Sequence, residues 1–186
     1  MSGTLAGGRL SGLQRLRELI REGGGLLAGL LDPDGSDPSA GGGPGPAELA
    51  AGGPRAQGRP EEYELLVEAI YEGYLLHYGT PRVLRAPEAD LRLLAGDRLY
   101  AIGLARLVGL GDTAAVAELA DTITLSALAN GAEDPVLADA VWHAGALAVG
   151  WGSDDAHRRA KRMVLEGNAA ALDAMRTSVR GLSAPR

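Results

Sequence analysis

The residue types able to do polar chemistry are few and fall in two places. His77 and Tyr78 close one apolar run, and Asp97 follows Gly96 inside LLAGDRLYAIGLARL, residues 93–107, on an apolar helix of small and branched side chains. Farther along, SDDAHRRAKR, residues 153–162, sets the adjacent carboxylates Asp154 and Asp155 before Arg158, Arg159, Lys161 and Arg162. Carboxylates beside a basic run suit magnesium and a diphosphate. The same pattern describes a capped helix with an acidic first turn and a solvated basic middle. His77, Asp97, Asp154 and Asp155 are therefore the candidate binding residues. Because an unpaired buried carboxylate is costly, Asp97 is read first as a structural group, accepting from Arg98 or from a tyrosine across the bundle.

Other chemistry is thin. Ser126, Ser153 and Ser178 lack elbow glycines and show no legible histidine geometry. The glycine clusters at 23–25 and 41–43 follow no strand and precede no Gly-Lys-Ser/Thr, so neither reads as a phosphate loop. His77, His143 and His157 have no metal-ligand spacing, and the absence of cysteine removes disulfides, thiolate nucleophiles and cysteine-ligated metals. No catalytic residue, metal or cofactor is expected. The net charge of −6 argues against nucleic acid as a partner. Lys161 is the single lysine among 18 basic residues, which with the abundant Ala and Gly reads as codon bias. No run of 18 apolar residues is present, so no spanning helix is expected. The first 27 residues lack the pattern of a secretory signal, and the expected location is the cytoplasm.

The elements that must position these residues are helical. Residues 10–22 place Leu10, Leu13, Leu16, Leu19 and Ile20 on one side at helical spacing, and Leu26, Leu27, Leu30 and Leu31 form a second apolar cluster after three glycines. So short a helix needs a surface to lie on. It can pack on its own bundle or a sister subunit, or act as the interaction segment toward another protein; peripheral membrane contact is weakened by mixed charge and missing aromatic anchors. From Asp32 to Pro60 the chain is mostly Gly, Pro, Ala and small polar residues with little to bury, which predicts a disordered linker.

Residues 61–180 read as the folded domain, with 181–186 as a tail. Spacing predicts helices over about 61–78, 87–108, 113–130 and 135–149, and a fifth from 153 to about 176 with Gly167 as its weak point. Pro87 suits a first helical turn, and Asp112, Asp134 and Ser153 are placed to cap. Short loops between long helices imply antiparallel neighbours, hence an all-α bundle of about five helices preceded by the amphipathic segment 1–31 and the linker 32–60.

LLAGDRLYAIGLARLVGLGDTAAVAELADTITLSALANG resembles the segment of trans-polyprenyl diphosphate synthases in which a VLAGD helix precedes a shorter helix. YELLVEAIYEGYLLHYG is similar to the family helix that ends in its first aspartate-rich motif. The resemblance covers residues 63–131 and implies an all-α isoprenoid-synthase-like fold. It also implies departures. Where the family carries DDxxD, this chain has Leu76, His77, Tyr78 and Gly79; Asp154 and Asp155, followed by His157 and Arg158, are a poor echo of the second motif; no Gly-Gly-Lys-Arg motif lies upstream. One remaining aspartate cannot hold a metal-bridged diphosphate. What the resemblance implies is a degenerate, non-catalytic subunit that associates with itself or with an active prenyl diphosphate synthase. In that family the aspartate matching Asp97 packs and caps more than it binds metal. An adaptor docking through residues 10–31, and a divergent magnesium-dependent prenyl diphosphate enzyme, stand as the alternatives.

Overall fold

The computed structural model describes residues 10–33, 43–86 and 88–182, which form nine α-helices and no strand. They are α1 (Gly12–Gly23), α2 (Gly25–Gly29), α3 (Pro46–Ala51), α4 (Pro60–Tyr78), α5 (Ala89–Gly109), α6 (Thr113–Gly131), α7 (Pro135–Trp151), α8 (Asp155–Leu165) and α9 (Ala171–Leu182). An isolated antiparallel bridge joins Leu31 to Leu84. The all-α expectation holds, with more and shorter helices than five. The long run from 153 divides because Gly167 takes φ +61°, a left-handed conformation that ends α8. Carboxylate caps begin three helices: Asp112, Asp134 and Asp154 accept from the backbone N–H of Ala115, Leu137 and His157. Asp154, rather than Ser153, is thus the cap of α8. Pro87 lies outside the described residues, and Glu88 occupies the cap position of α5.

Glycines set how closely the helices cross. A Cβ at Gly73 on α4 would stand 3.0 Å from the Gly96 carbonyl oxygen on α5, and one at Gly103 would overlap Ile70. Gly96 therefore faces α4. On α7, Gly145 lies against Thr122 of α6, and Gly150 against the Ala50 backbone. Such contacts let a helix of small residues bury its sides without large apolar groups.

That close packing corrects the expectation of a disordered linker for its described part from residue 43 on. Residues 34–42 lie outside the described residues, but 46–51 form α3 and 54–56 a short 3-10 turn, both against the bundle. Ala47, Ala50 and Ala56 are buried, and α3 contacts both α4 and α7. A segment of Ala and Gly buries little area per residue yet fits where a larger side chain would not. Beside it, Trp142 of α7 meets Tyr71 and Tyr74 of α4 at centroid distances of 4.9 and 5.1 Å.

The amino-terminal segment packs on its own chain. Leu13, Leu16, Ile20 and Leu27 are buried with residues of α4, α5 and the 83–86 segment, whereas Leu19, Leu30 and Leu31 are partly buried and Leu10 and Leu26 are exposed. The boundaries at 31 and 60 therefore do not mark edges of packing. Of the expected tail, 181–186, Gly181 and Leu182 instead continue α9, and 183–186 lie outside the described residues. Among the described residues, no helix is long and apolar enough to cross a membrane.

Candidate functional site

His77 and Asp97 do come together. The end of α4 crosses α5 at Gly96, where a Cβ would collide with the imidazole, so only glycine leaves room for it. His77 stacks on Tyr100 at 5.3 Å with rings within 4° of parallel, and its Nε2 lies 3.2 Å from Asp97 Oδ1. Asp97 is 70% exposed, because Gly96 takes the inward position and turns the next residue out. It is thus a surface partner of His77, bonded neither to Arg98 nor to a tyrosine across the bundle. Asp154 and Asp155 lie elsewhere, at the start of α8, which packs on α6 and α9. Asp154 is spent on its cap, and Asp155 is exposed and pairs with Arg158 at 2.7 Å, a hydrogen bond that holds its carboxyl below the usual range. The four candidates do not converge. Among the described residues no group of three or more His, Asp or Glu is arranged to hold a metal.

A constellation that sequence reasoning missed lies between α6, α8 and α9. His157 Nδ1 is 3.3 Å from Ser178 Oγ, its Nε2 is 2.7 Å from Glu118 Oε1, and Lys161 Nζ donates to Glu118 Oε2 and Asp121 Oδ2 at 2.9 and 2.7 Å. Serine, histidine and glutamate are the parts of a nucleophilic triad, but the arrangement cannot attack a substrate. Ser178 is 1% exposed, and its hydroxyl proton goes to the Met175 carbonyl at 2.7 Å. A nucleophile needs access and a base that receives its proton. The network instead joins three helices. Burial alone would raise the Glu118 pKa, but His157 and Lys161 outweigh it and lower it; burial would lower that of Lys161, but Asp121 and Glu118 raise it. The spacing of His157 and Lys161 on α8, and of Glu118 and Asp121 on α6, puts each pair on one face of its own helix but carries no signal that the two faces meet.

A second polar cluster runs along α4. Glu64, Glu68 and Glu72 recur every fourth residue and so share a face, beside a cleft of about 790 Å³. Each carboxylate is engaged. Glu64 pairs with Arg15 and accepts from the Gly12 N–H at 2.8 Å. Glu68 pairs with Arg82, whose guanidinium lies 5.0 Å over the Tyr71 ring. Burial pushes the Glu68 carboxyl up to about 7 even against the pull of Arg82. Glu72, fully buried, accepts from the backbone N–H of Arg82 and Val83 at 2.7 Å each, from Leu84 at 3.4 Å, and from Arg82 Nε at 3.2 Å. With Arg17 donating to the carbonyls of Asp32 and Arg82, Glu72 fixes the crossing of residues 30–32 and 82–85 on which α1 and α2 rest.

A second open concavity is apolar. A groove of about 600 Å³ runs between α1–α2 and α5. Leu19, Ile20, Leu26 and Leu27 form one wall; Leu94, Ala101, Ile102 and Ala105 form the other, with Arg98 and Arg106 beside them. Leu26 and Leu94 are 46% and 56% exposed. Four of the nine leucine and isoleucine residues that the sequence marks as an interaction face thus line the groove, Leu26 exposed, Leu19 partly buried, and Ile20 and Leu27 buried.

Fold and site together define an all-helical protein whose buried carboxylates Glu68, Glu72 and Glu118 are bonded internally and whose α2–α5 groove is apolar and open to solvent. A scan against family models, a search of curated proteins and a search of solved structures each found no match.

Proposed function

We propose that the chain is a non-catalytic helical subunit that acts by protein–protein association, with a prenyl diphosphate synthase as the partner class that the sequence resemblance implies. The observation that carries the reading is the division of labour among its side chains. Glu72, Glu118, His157 and Ser178 are held in interior networks, Asp154 in a cap, and His77 and Asp97 stand as an isolated pair, whereas the α2–α5 groove leaves large apolar side chains open. Exposed concave apolar surface of this kind is what partner helices and chains bury. The reading sets aside the divergent enzyme, since His77, Asp97, Asp154 and Asp155 share no pocket. It also narrows the adaptor, because the inner faces of Leu13, Leu16 and Ile20 are already covered.

The test is co-expression of the full chain with a prenyl diphosphate synthase from the same cell, together with assay of the isolated chain for magnesium-dependent turnover of prenyl diphosphates. Co-purification without turnover by the isolated chain is expected. Turnover abolished by Asp97→Asn would overturn the reading, as would a chain that stays monomeric and alone.

A further inference from the structure

The groove between α2 and α5 also indicates the chemistry of what fills it, an inference that rests on the association reading above. Arg98 and Arg106 both line it, and neither guanidinium has a hydrogen-bond or ion-pair partner among the described residues. Where Arg15, Arg55, Arg82, Arg85 and Arg158 each meet a carboxylate of this chain, these two guanidiniums are left open to a partner's. Both arginines are exposed. Eight residues apart on one helix, they stand about 12 Å apart along its axis. Between them Ala101 and Ala105 leave the surface of α5 low enough for a second helix to approach, and Leu26 and Leu94 flank that path half exposed.

We propose that this groove binds an amphipathic helix of a partner protein, with an apolar stripe against Leu26, Leu94 and the two alanines and with two carboxylates about two turns apart that pair with Arg98 and Arg106. Guanidinium–carboxylate pairs at the edge of an apolar contact add orientation and register to the burial. A second copy of the chain is the poorer occupant. Two-fold pairing of α5 with itself presents the same flank of each copy to the other and sets arginine near arginine. A bilayer fits poorly too, because the apolar surface lies in a concavity between two helix walls and not on a projecting face.

The experiment titrates the full chain into a labelled synthetic amphipathic helix bearing two glutamates two turns apart, and into its twin with lysine in their place, read by fluorescence anisotropy. Vesicles of phosphatidylcholine with phosphatidylglycerol are run in parallel by co-sedimentation. The glutamate helix is expected to bind at least about tenfold more tightly than the lysine twin. Arg98→Glu and Arg106→Glu should each weaken it by about tenfold or more while leaving the circular dichroism and melting temperature in place, and Arg159→Glu on α8 should leave binding unchanged. Failure of the glutamate helix to bind, equal binding of the twins, indifference to both arginine substitutions, or binding to the vesicles alone would each overturn the proposal. So would a self-association that Arg98→Glu abolishes. A complex with a synthase that survives both arginine substitutions would remove the groove assignment and leave the association reading standing. Turnover by the isolated chain would remove that reading instead.

Discussion

Replacing Glu72 with alanine tests how the α1–α2 cap is held. Its carboxylate is fully buried and satisfies the backbone N–H groups of Arg82 and Val83 at short distance, that of Leu84 at longer distance, and one nitrogen of the Arg82 guanidinium. Val83 is fully buried and Leu84 nearly so, so no solvent stands ready to replace the lost acceptor. An orphaned buried donor costs about 1–3 kcal/mol, and removing one partner of a buried ion pair costs about 3–5 kcal/mol. These overlap at the same atoms, so the expected loss for Glu72→Ala is about 3–5 kcal/mol, a large share of the stability of a domain. Glu72→Gln keeps an oxygen for the backbone donors and loses the charge, for an expected loss of about 1–2 kcal/mol. Urea unfolding followed by circular dichroism at 222 nm measures both, with unchanged denaturant slope as the sign that a common folded state is compared. A loss under about 1 kcal/mol for Glu72→Ala, or glutamine as costly as alanine, would refute the reasoning.

Glu68 gives a pH signature. Its carboxyl rises to about 7 in the folded chain from an ordinary 4.5, so the folded state binds this proton more tightly. The stabilisation is full below the unfolded value and is lost as pH rises through about 7. Melting followed between those limits should therefore show stability increasing by about 1–3 kcal/mol on acidification, and Glu68→Gln should flatten that slope. Glu118 has the opposite sign: its lowered carboxyl contributes above the ordinary 4.5 and loses that contribution as pH falls through its folded value, so Glu118→Gln should flatten the acid limb of the same curve. Gly150→Ala, which drives a methyl into the Ala50 carbonyl, should cost about 1–3 kcal/mol in thermal unfolding, whereas Gly109→Ala, with nothing within 4 Å, should be neutral or slightly stabilising. Ser178→Ala should leave fluorophosphonate labelling of the chain at background, since the wild-type hydroxyl is buried and gives its proton to Met175.

The helices were legible where period and punctuation agree. Asp112 and Asp134 cap where their position before apolar runs predicts, and Gly167 breaks the last helix where its missing side chain weakens it. The segment 46–56 was illegible for a physical reason. Apolar periodicity weighs side chains by what they bury, and a helix of alanines wedged between two others is held by fit, which depends on Gly53 and Gly150 from distant parts of the chain. Asp97 failed in the opposite sense. Its place amid Leu, Ala and Gly suggests burial, yet Gly96 is the residue at the crossing with α4 and the aspartate points out to His77. The Glu118, His157 and Ser178 network unites residues 39 and 21 positions apart, which no local spacing reveals. Glu72 looks like one more acid on a solvated face until the 82–84 backbone is seen to close over it.

The most direct test is an amide nuclear magnetic resonance titration of the full chain with the glutamate-bearing helix. The predicted result is shifts confined to residues 19–27 on α1 and α2 and 94–106 on α5, all reversed in the Arg98→Glu variant. Shifts centred on the Glu64, Glu68 and Arg82 cleft, or on the network of Glu118, His157, Lys161 and Ser178, would contradict it, because those groups are assigned to holding the fold together and not to meeting a partner.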